Sequence, residues 1–122
     1  MRLLPNALGA IAGLCLMAAP AMAQQQAANA VLQTLDKITA RVSTLTIPVG
    51  NKAWFGTLEI FVDTCQKRPP EETPESAAFL RIIDHRPQQE PVSAFNGWMF
   101  ASSPALHPLE HAVYDVIVLD CK

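Results

Sequence analysis

Apolar side chains recur at every second position in several parts of the chain, which is the period of a strand with one buried face. In segment 54–63, for example, Leu58, Ile60 and Val62 share one parity. The other segments of this kind are 38–49, 77–84, 92–101 and 113–121. Polar stretches with several prolines separate them and exclude a helix interior or a central strand there. The spacing predicts an all-β fold, a compact antiparallel sandwich or barrel of about five to seven strands.

Two of these segments depart from simple alternation. In 38–49 the apolar parity changes after Ser43 and Thr44, which predicts a bulge or a bend that carries the strand to a second sheet. Residues 116–119 are apolar on both parities. A strand of that type is expected in the centre of a sheet or between layers.

The segment before residue 38 follows another period. Val31, Leu32 and Leu35 stand at i, i+1 and i+4, a spacing that allows one short helix packed on the domain. We therefore predict a flexible or short helical segment over 24–37 and a single β domain over 38–122.

The first 23 residues differ sharply in composition from the rest, with 17 hydrophobic residues among them. Arg2 precedes the apolar run, Pro20 ends it, and small residues follow at positions 21 and 23. This order is typical of a secretory signal peptide, with Sec-type export and cleavage between Ala23 and Gln24. The alternative is a membrane anchor, but the run is shorter than the ~20 residues that span a bilayer. We expect a periplasmic protein with no stable membrane span after cleavage.

Two cysteines, Cys65 and Cys121, remain after such cleavage. An even number of cysteines in an oxidising compartment favours a disulfide, here Cys65 with Cys121. Redox or metal-binding cysteines are the alternative, although the pair does not form a Cys-x-x-Cys motif.

Charge narrows the choice of partners. From Gln24 onward the chain has eight lysines and arginines against eleven aspartates and glutamates, a formal net charge of −3. Nucleic acid requires a basic surface that neutralises phosphates. We therefore expect no nucleic-acid partner.

Four longer motifs resemble a known family. They are Phe55 to Ile60, Cys65 to Glu72, Phe95 to Leu106 and Leu109 to Val116. Together they are similar to the bacterial "domain of unknown function 2155", over about residues 35–121. The resemblance implies a small exported protein that carries the same two cysteines. The resemblance does not indicate an activity, because none is established for the family, and it supplies no catalytic residues.

Residues His107 to His111 match the pattern H-x-x-E-H, in which two histidines on one helical turn bind zinc and the glutamate activates water. Pro108 favours His107 as the residue that caps a turn, and a third ligand would have to come from elsewhere. Ser102 and Ser103 lack the Gly-x-Ser-x-Gly elbow of hydrolases. A metal-dependent or serine hydrolase built on this segment is the alternative function, and the favoured interpretation has no catalytic residue, no metal and no cofactor.

The aromatic segment 95–100 provides the favoured functional hypothesis. Trp98 and Phe100 share one parity and Met99 takes the other, so one of these sets faces outward. The choice between core packing and recognition stays open for Trp98 and Phe100. We predict a non-enzymatic binding or scaffold domain whose partner is an envelope protein or a cell-wall component. Its candidate surface comprises Trp98, Phe100, Ser102, Ser103, His107 and His111.

Overall fold

The computed structural model describes residues 25–122. The predicted signal peptide over 1–23 and the cleavage site between Ala23 and Gln24 lie outside the described residues. Within 25–122 the structure contains no helix that is long and apolar enough to cross a membrane.

Eight strands form two antiparallel sheets, and the described part of the chain contains no helix, so the all-β prediction is confirmed. The strands are β1 (Gln25–Gln26), β2 (Asn29–Asp36), β3 (Arg41–Pro48), β4 (Lys52–Phe55), β5 (Leu58–Lys67), β6 (Ser76–Asp84), β7 (Val92–Phe100) and β8 (Tyr114–Cys121).

The five-stranded sheet has the order β1-β5-β6-β7, with β4 also paired to β5. β1 pairs with the end of β5 near Lys67, and β4 pairs with its beginning, so both lie along the same side of that strand. The three-stranded sheet has the order β3-β2-β8. The edges of the five-stranded sheet are therefore β7 on one side and β1 with β4 on the other, and the edges of the three-stranded sheet are β3 and β8.

The core lies between the sheets and is aliphatic. Its largest fully buried hydrophobic side chains come from both layers: Leu32, Ile47, Leu58, Ile60, Val62, Leu80, Ile82 and Val116. Burying each of them contributes about 1.5–3 kcal/mol relative to an exposed side chain. This inner layer is the source of most of the stability of the fold.

A disulfide joins Cys65 on β5 to Cys121 on β8, with 5.6 Å between the Cα atoms. Both cysteines are completely buried. The bond links the two sheets directly, so the pairing expected from the two cysteines is present in the structure.

The short helix that the spacing of Val31, Leu32 and Leu35 allowed within 24–37 is wrong. Residues 29–36 form β2, the middle strand of the three-stranded sheet, with antiparallel partners on both sides. Ala30, Leu32 and Thr34 alternate toward the core and are buried. Strand pairing with β3 and β8 satisfies the main chain, and this long-range pairing overrides a local spacing that also fits a helix.

Two other expectations need correction. In 38–49 the change of parity marks no bulge or bend, because Ile38 and Ala40 lie in the turn 37–40 that joins β2 to β3 and Val42 is exposed, while the register of β3 on β2 is continuous. β8 is an edge strand rather than a central one. Its Val116 and Val118 are buried, whereas Leu119 on the other side is 42% exposed.

Candidate functional site

The outward side of the five-stranded sheet carries an aromatic surface. Alternation buries Leu80 on β6 and Met99 on β7, and it turns their neighbours outward. No second layer of the described chain packs on this side, and its aromatic side chains are half-buried. We call it the outer aromatic face, and it consists of Phe61, Phe79, Trp98 and Phe100.

Neighbouring strands align these rings. Trp98 lies directly opposite Phe79 in the ladder, and the two rings meet edge to face with centroids 5.5 Å apart. Aromatic pairs in this arrangement contribute about 0.5–1.5 kcal/mol beyond their buried area. The packing holds the Trp98 indole in one orientation on the surface, which is what a preformed binding surface requires.

Charged groups lie among the rings. Arg81 lies directly opposite Phe61, and its guanidinium is 4.5 Å from the ring centroid. Arg81 also donates two hydrogen bonds to Asp63, of 2.7 and 3.0 Å. These hydrogen bonds hold the pKa of Asp63 below its ordinary value. The outer aromatic face therefore combines apolar rings with a fixed and nearly neutral ion pair.

A second polar cluster borders this face. Glu59 accepts hydrogen bonds from Lys52 at 2.7 Å and from His85 at 2.9 Å, and they keep the pKa of Glu59 below its ordinary value. Trp54, opposite Glu59 in the ladder, is 54% exposed and packs against the His85 ring. Trp54 thus extends the exposed aromatic surface beyond the centre of the sheet.

The structure divides the predicted surface residues between different places. Trp98 and Phe100 lie on the outer aromatic face, and Met99 is core. Trp98 and Phe100 are half-buried, so neither is a fully buried core residue. Phe61, Phe79 and Arg81 were not included in the candidate surface predicted from the sequence. Each alternates with buried aliphatic residues in its strand, so the period of two that was applied to β7 would also have placed them on the outer side.

Ser102 and Ser103 follow β7 in a turn. The hydroxyl and the main-chain N–H of Ser102 both donate to Glu75, and the N–H of Ser103 donates to the carbonyl of Phe100. Burial favours the neutral form of Glu75, but the hydrogen bonds from Ser102 and Ser76 outweigh it and lower the pKa of Glu75. Within residues 25–122 neither serine is hydrogen-bonded to a histidine, so the turn does not assemble a nucleophile with its base.

His107 lies against β7. Its Nδ1–H donates to the carbonyl of Trp98 at 3.1 Å, and its ring packs against Phe95 with 4.5 Å between centroids. The ring occupies the space above Gly97, where an added Cβ would come within 2.6 Å of it. Gly97 is therefore the residue that lets His107 approach the strand.

His111 is engaged through both ring nitrogens. Its Nε2–H donates to Asp84 at 2.8 Å, and its Nδ1 accepts the N–H groups of Val113 and Tyr114. Thr57 also donates to Asp84, at 2.6 Å. Burial favours the neutral form of Asp84, but the hydrogen bonds from Thr57 and His111 outweigh it and lower the pKa of Asp84. This network fixes the start of β8 and leaves neither nitrogen of His111 free to act as a base.

The segment His107 to His111 contains no helical turn, so it lacks the geometry that the zinc-peptidase pattern needs. Its buried residue is Leu109, which packs into the core. Among residues 25–122 no group of three or more His, Cys, Asp or Glu side chains is arranged to hold a metal ion. The geometry of the described residues therefore gives the hydrolase alternative no support.

An open groove runs beside the free edge of β7. Its first part has a volume of about 420 Å³ and lies between Ser93, Asn96, His107 and Glu110. A second part of about 370 Å³ shares Ser93 and Glu110 and continues toward Arg86. No feature of the sequence indicated this groove, because strand order creates it.

Comparison with known proteins gives one family and one relative of unknown role. A family model described as "Uncharacterized protein conserved in bacteria (DUF2155)" matches residues 30–121. An uncharacterized protein of Rickettsia prowazekii (strain Madrid E) is 28% identical over 93 residues, which cover 76% of this chain and 60% of the relative. The chain thus spans less than two thirds of that relative. No solved structure matches significantly.

Proposed function

Since the chain belongs to the bacterial family DUF2155, we propose that it is an exported, non-enzymatic binding module whose outer aromatic face docks an envelope protein or a cell-wall component. The observation that carries this proposal is the row of half-buried aromatic side chains on the uncovered side of the five-stranded sheet. Contiguous apolar surface of this kind marks interaction sites in soluble proteins.

The chemistry of the outer aromatic face supports binding. Aromatic side chains and arginine dominate the energy of protein interfaces, because they bury much area and lose little conformational freedom. Trp98 is already oriented by Phe79, and Arg81 is oriented by Asp63. A partner that docks here therefore orders few side chains, which favours affinity.

Export is supported by the composition of the leader and by the disulfide. The first 23 residues contain 17 hydrophobic ones and a single charge, and Cys65 is bonded to Cys121. Disulfides persist mainly in oxidising compartments. The periplasm of a bacterium satisfies both observations.

Site-specific crosslinking in cells tests this function. Phe100 is replaced by p-benzoylphenylalanine, and Thr44, exposed on β3 of the other sheet, carries the same probe as the matched control. The purified periplasmic chain should first show the mass of a protein that begins at Gln24. We expect one dominant adduct from position 100, none from position 44, and loss of that adduct when Trp98→Ala is added.

The captured partner is then purified and its binding to the wild-type chain is measured directly. Scattered adducts, equal adducts from both positions, or a dominant adduct that survives Trp98→Ala would each contradict a docking role for the outer aromatic face. Trp98→Ala must keep a cooperative thermal transition for the result to count.

A further inference from the structure

The register of β7 on β6 determines which residues of β7 direct their main-chain N–H and carbonyl groups toward the free edge. The N–H of Ala101 donates to the carbonyl of Ser76 at 2.8 Å, in register with the β6–β7 ladder. In an antiparallel pair, residues alternate between those bonded to the partner and those directed away from it. The main-chain groups of Asn96, Trp98 and Phe100 therefore point away from β6 into the free edge.

The fold covers only one half of this edge. His107 donates a hydrogen bond to the carbonyl of Trp98, and the N–H of Ser103 donates one to the carbonyl of Phe100, so neither carbonyl is free. In residues 25–122 no hydrogen bond reaches the outward N–H or carbonyl of Asn96 or the N–H of Trp98. Natural proteins usually block sheet edges, because unpaired main-chain groups recruit another strand. The edge of β7 at Asn96 and the N–H of Trp98 is not blocked in this way, and we call it the open half of β7.

The groove beside the open half gives room for a main chain. Its two parts, of about 420 and 370 Å³, share Ser93, Ala94 and Glu110 and so form one continuous path along the edge. Glu110 is exposed and has no ion-pair partner among the described residues. Its carboxylate therefore offers an unsatisfied negative charge where both parts of the groove meet.

We propose that β7 accepts an extended peptide segment of the partner protein as an added strand, paired with Asn96 and Trp98 and directing a lysine or arginine toward Glu110. In this mode main-chain hydrogen bonds provide affinity, and alternate side chains provide specificity. The proposal rests on the proposed binding function, since it names the form that the partner takes. An added strand beside β7 also turns every second side chain toward Trp98 on the outer aromatic face.

Selection from a phage-displayed library of random twelve-residue peptides tests the edge directly and does not require an identified partner. Enriched peptides are synthesised and their dissociation constants are measured against the full mature chain. The key pair of variants is Asn96→Pro and Asn96→Ala. Proline removes the outward N–H and is tolerated on an edge strand, whereas alanine removes only the side chain.

We expect Asn96→Pro to weaken binding by at least about tenfold, and Asn96→Ala to change it by less than about twofold. Glu110→Gln should weaken binding of peptides with a lysine or arginine by about threefold, as expected for an exposed ion pair. Bound peptide should also slow hydrogen exchange of the Asn96 and Trp98 amides in the wild-type chain. Because the exchange measurement uses the wild-type chain, it tests strand addition even if Asn96→Pro does not fold.

Several results overturn the inference: no enriched peptide, equal binding to wild type and Asn96→Pro, or unchanged exchange at Asn96 and Trp98. A concentration-dependent dimer that is lost in Asn96→Pro would assign the edge to a second copy of the chain instead. If cellular crosslinking at Phe100 depends on Trp98 while all peptide tests fail, the binding function stands and only the strand-addition proposal is rejected.

Discussion

The inner and outer faces of the five-stranded sheet come from the same strands but make different contacts. On the inner side Ile60, Leu80 and Ile82 are fully buried against the other sheet. On the outer side Phe61 and Phe79 remain half-buried, and the ion pair of Arg81 with Asp63 lies beside the Phe61 ring. The comparison teaches that the aliphatic core is built from one parity of β5 and β6, while the aromatic side chains of the other parity stay partly exposed.

The largest expected effect on stability comes from placing a charge on the buried side of β8, compared with the same charge on its exposed side. Val118→Asp buries an unpaired carboxylate at a position that is 2% exposed, and we expect a loss above about 4 kcal/mol, so that the variant does not fold. Leu119→Asp is the matched control, since Leu119 is 42% exposed, and it should stay within about 0.5 kcal/mol of wild type. Urea denaturation of the soluble fraction measures both. Similar losses in the two variants would contradict the division between faces.

The next largest effect concerns the bond between the two inner faces. Replacing both Cys65 and Cys121 with alanine should lower the free energy of unfolding by about 4 kcal/mol, because the closed loop spans a sequence separation of 56 residues. Denaturant unfolding of the double variant beside wild type, with and without reductant, gives the value. If reductant destabilises the double variant as much as wild type, the disulfide is not the cause.

The smallest effect compares an inner carboxylate with an outer one. Asp84→Asn disturbs the partly buried hydrogen bonds that the buried Asp84 accepts from Thr57 and His111, and it should cost about 1–3 kcal/mol at neutral pH. Asp63→Asn breaks only the exposed pair with Arg81, for about 0–1 kcal/mol. Chemical denaturation at pH 7 ranks the two variants, and an equal loss would show that Asp84 is no more important than a surface group.

The pH dependence has a definite sign. The pKa of Asp84 is lower in the folded chain than its unfolded value of about 3.9, because hydrogen bonds stabilise the charged form. Its contribution is therefore complete above that unfolded value and is lost as pH falls through the lower folded pKa. Between pH 6 and pH 2.5 the melting temperature of Asp84→Asn should fall less steeply with decreasing pH than that of the wild type. Parallel curves would contradict the assignment.

Alternation alone predicted much of the fold and part of the site. Leu58, Ile60 and Val62 share one buried face as expected, and Met99 lies on the opposite side of β7 from its two aromatic neighbours, although the sequence did not show which side is buried. These predictions hold because burial on one side of a strand produces a period of two, which local sequence carries directly.

The rest depended on pairing between distant segments. The apolar spacing of β2 allowed a short helix, and its pairing on both sides with β3 and β8 shows that it is a strand instead. The apolar run of β8 predicts a central strand, yet sheet order places it at an edge. The groove beside Asn96 is formed by main-chain direction and strand order, which side-chain patterns do not encode.

The pairing of β2 with β8 has a consequence for the order in which the molecule folds. β2 begins at Asn29, whereas its second neighbour, β8, ends at Cys121, so the two paired strands lie far apart in the sequence. The three-stranded sheet and the disulfide therefore stay incomplete until β8 has been synthesised. Folds dominated by such long-range pairing form slowly, on a scale of roughly milliseconds to seconds. A nascent chain of this protein cannot complete this fold while β8 is missing.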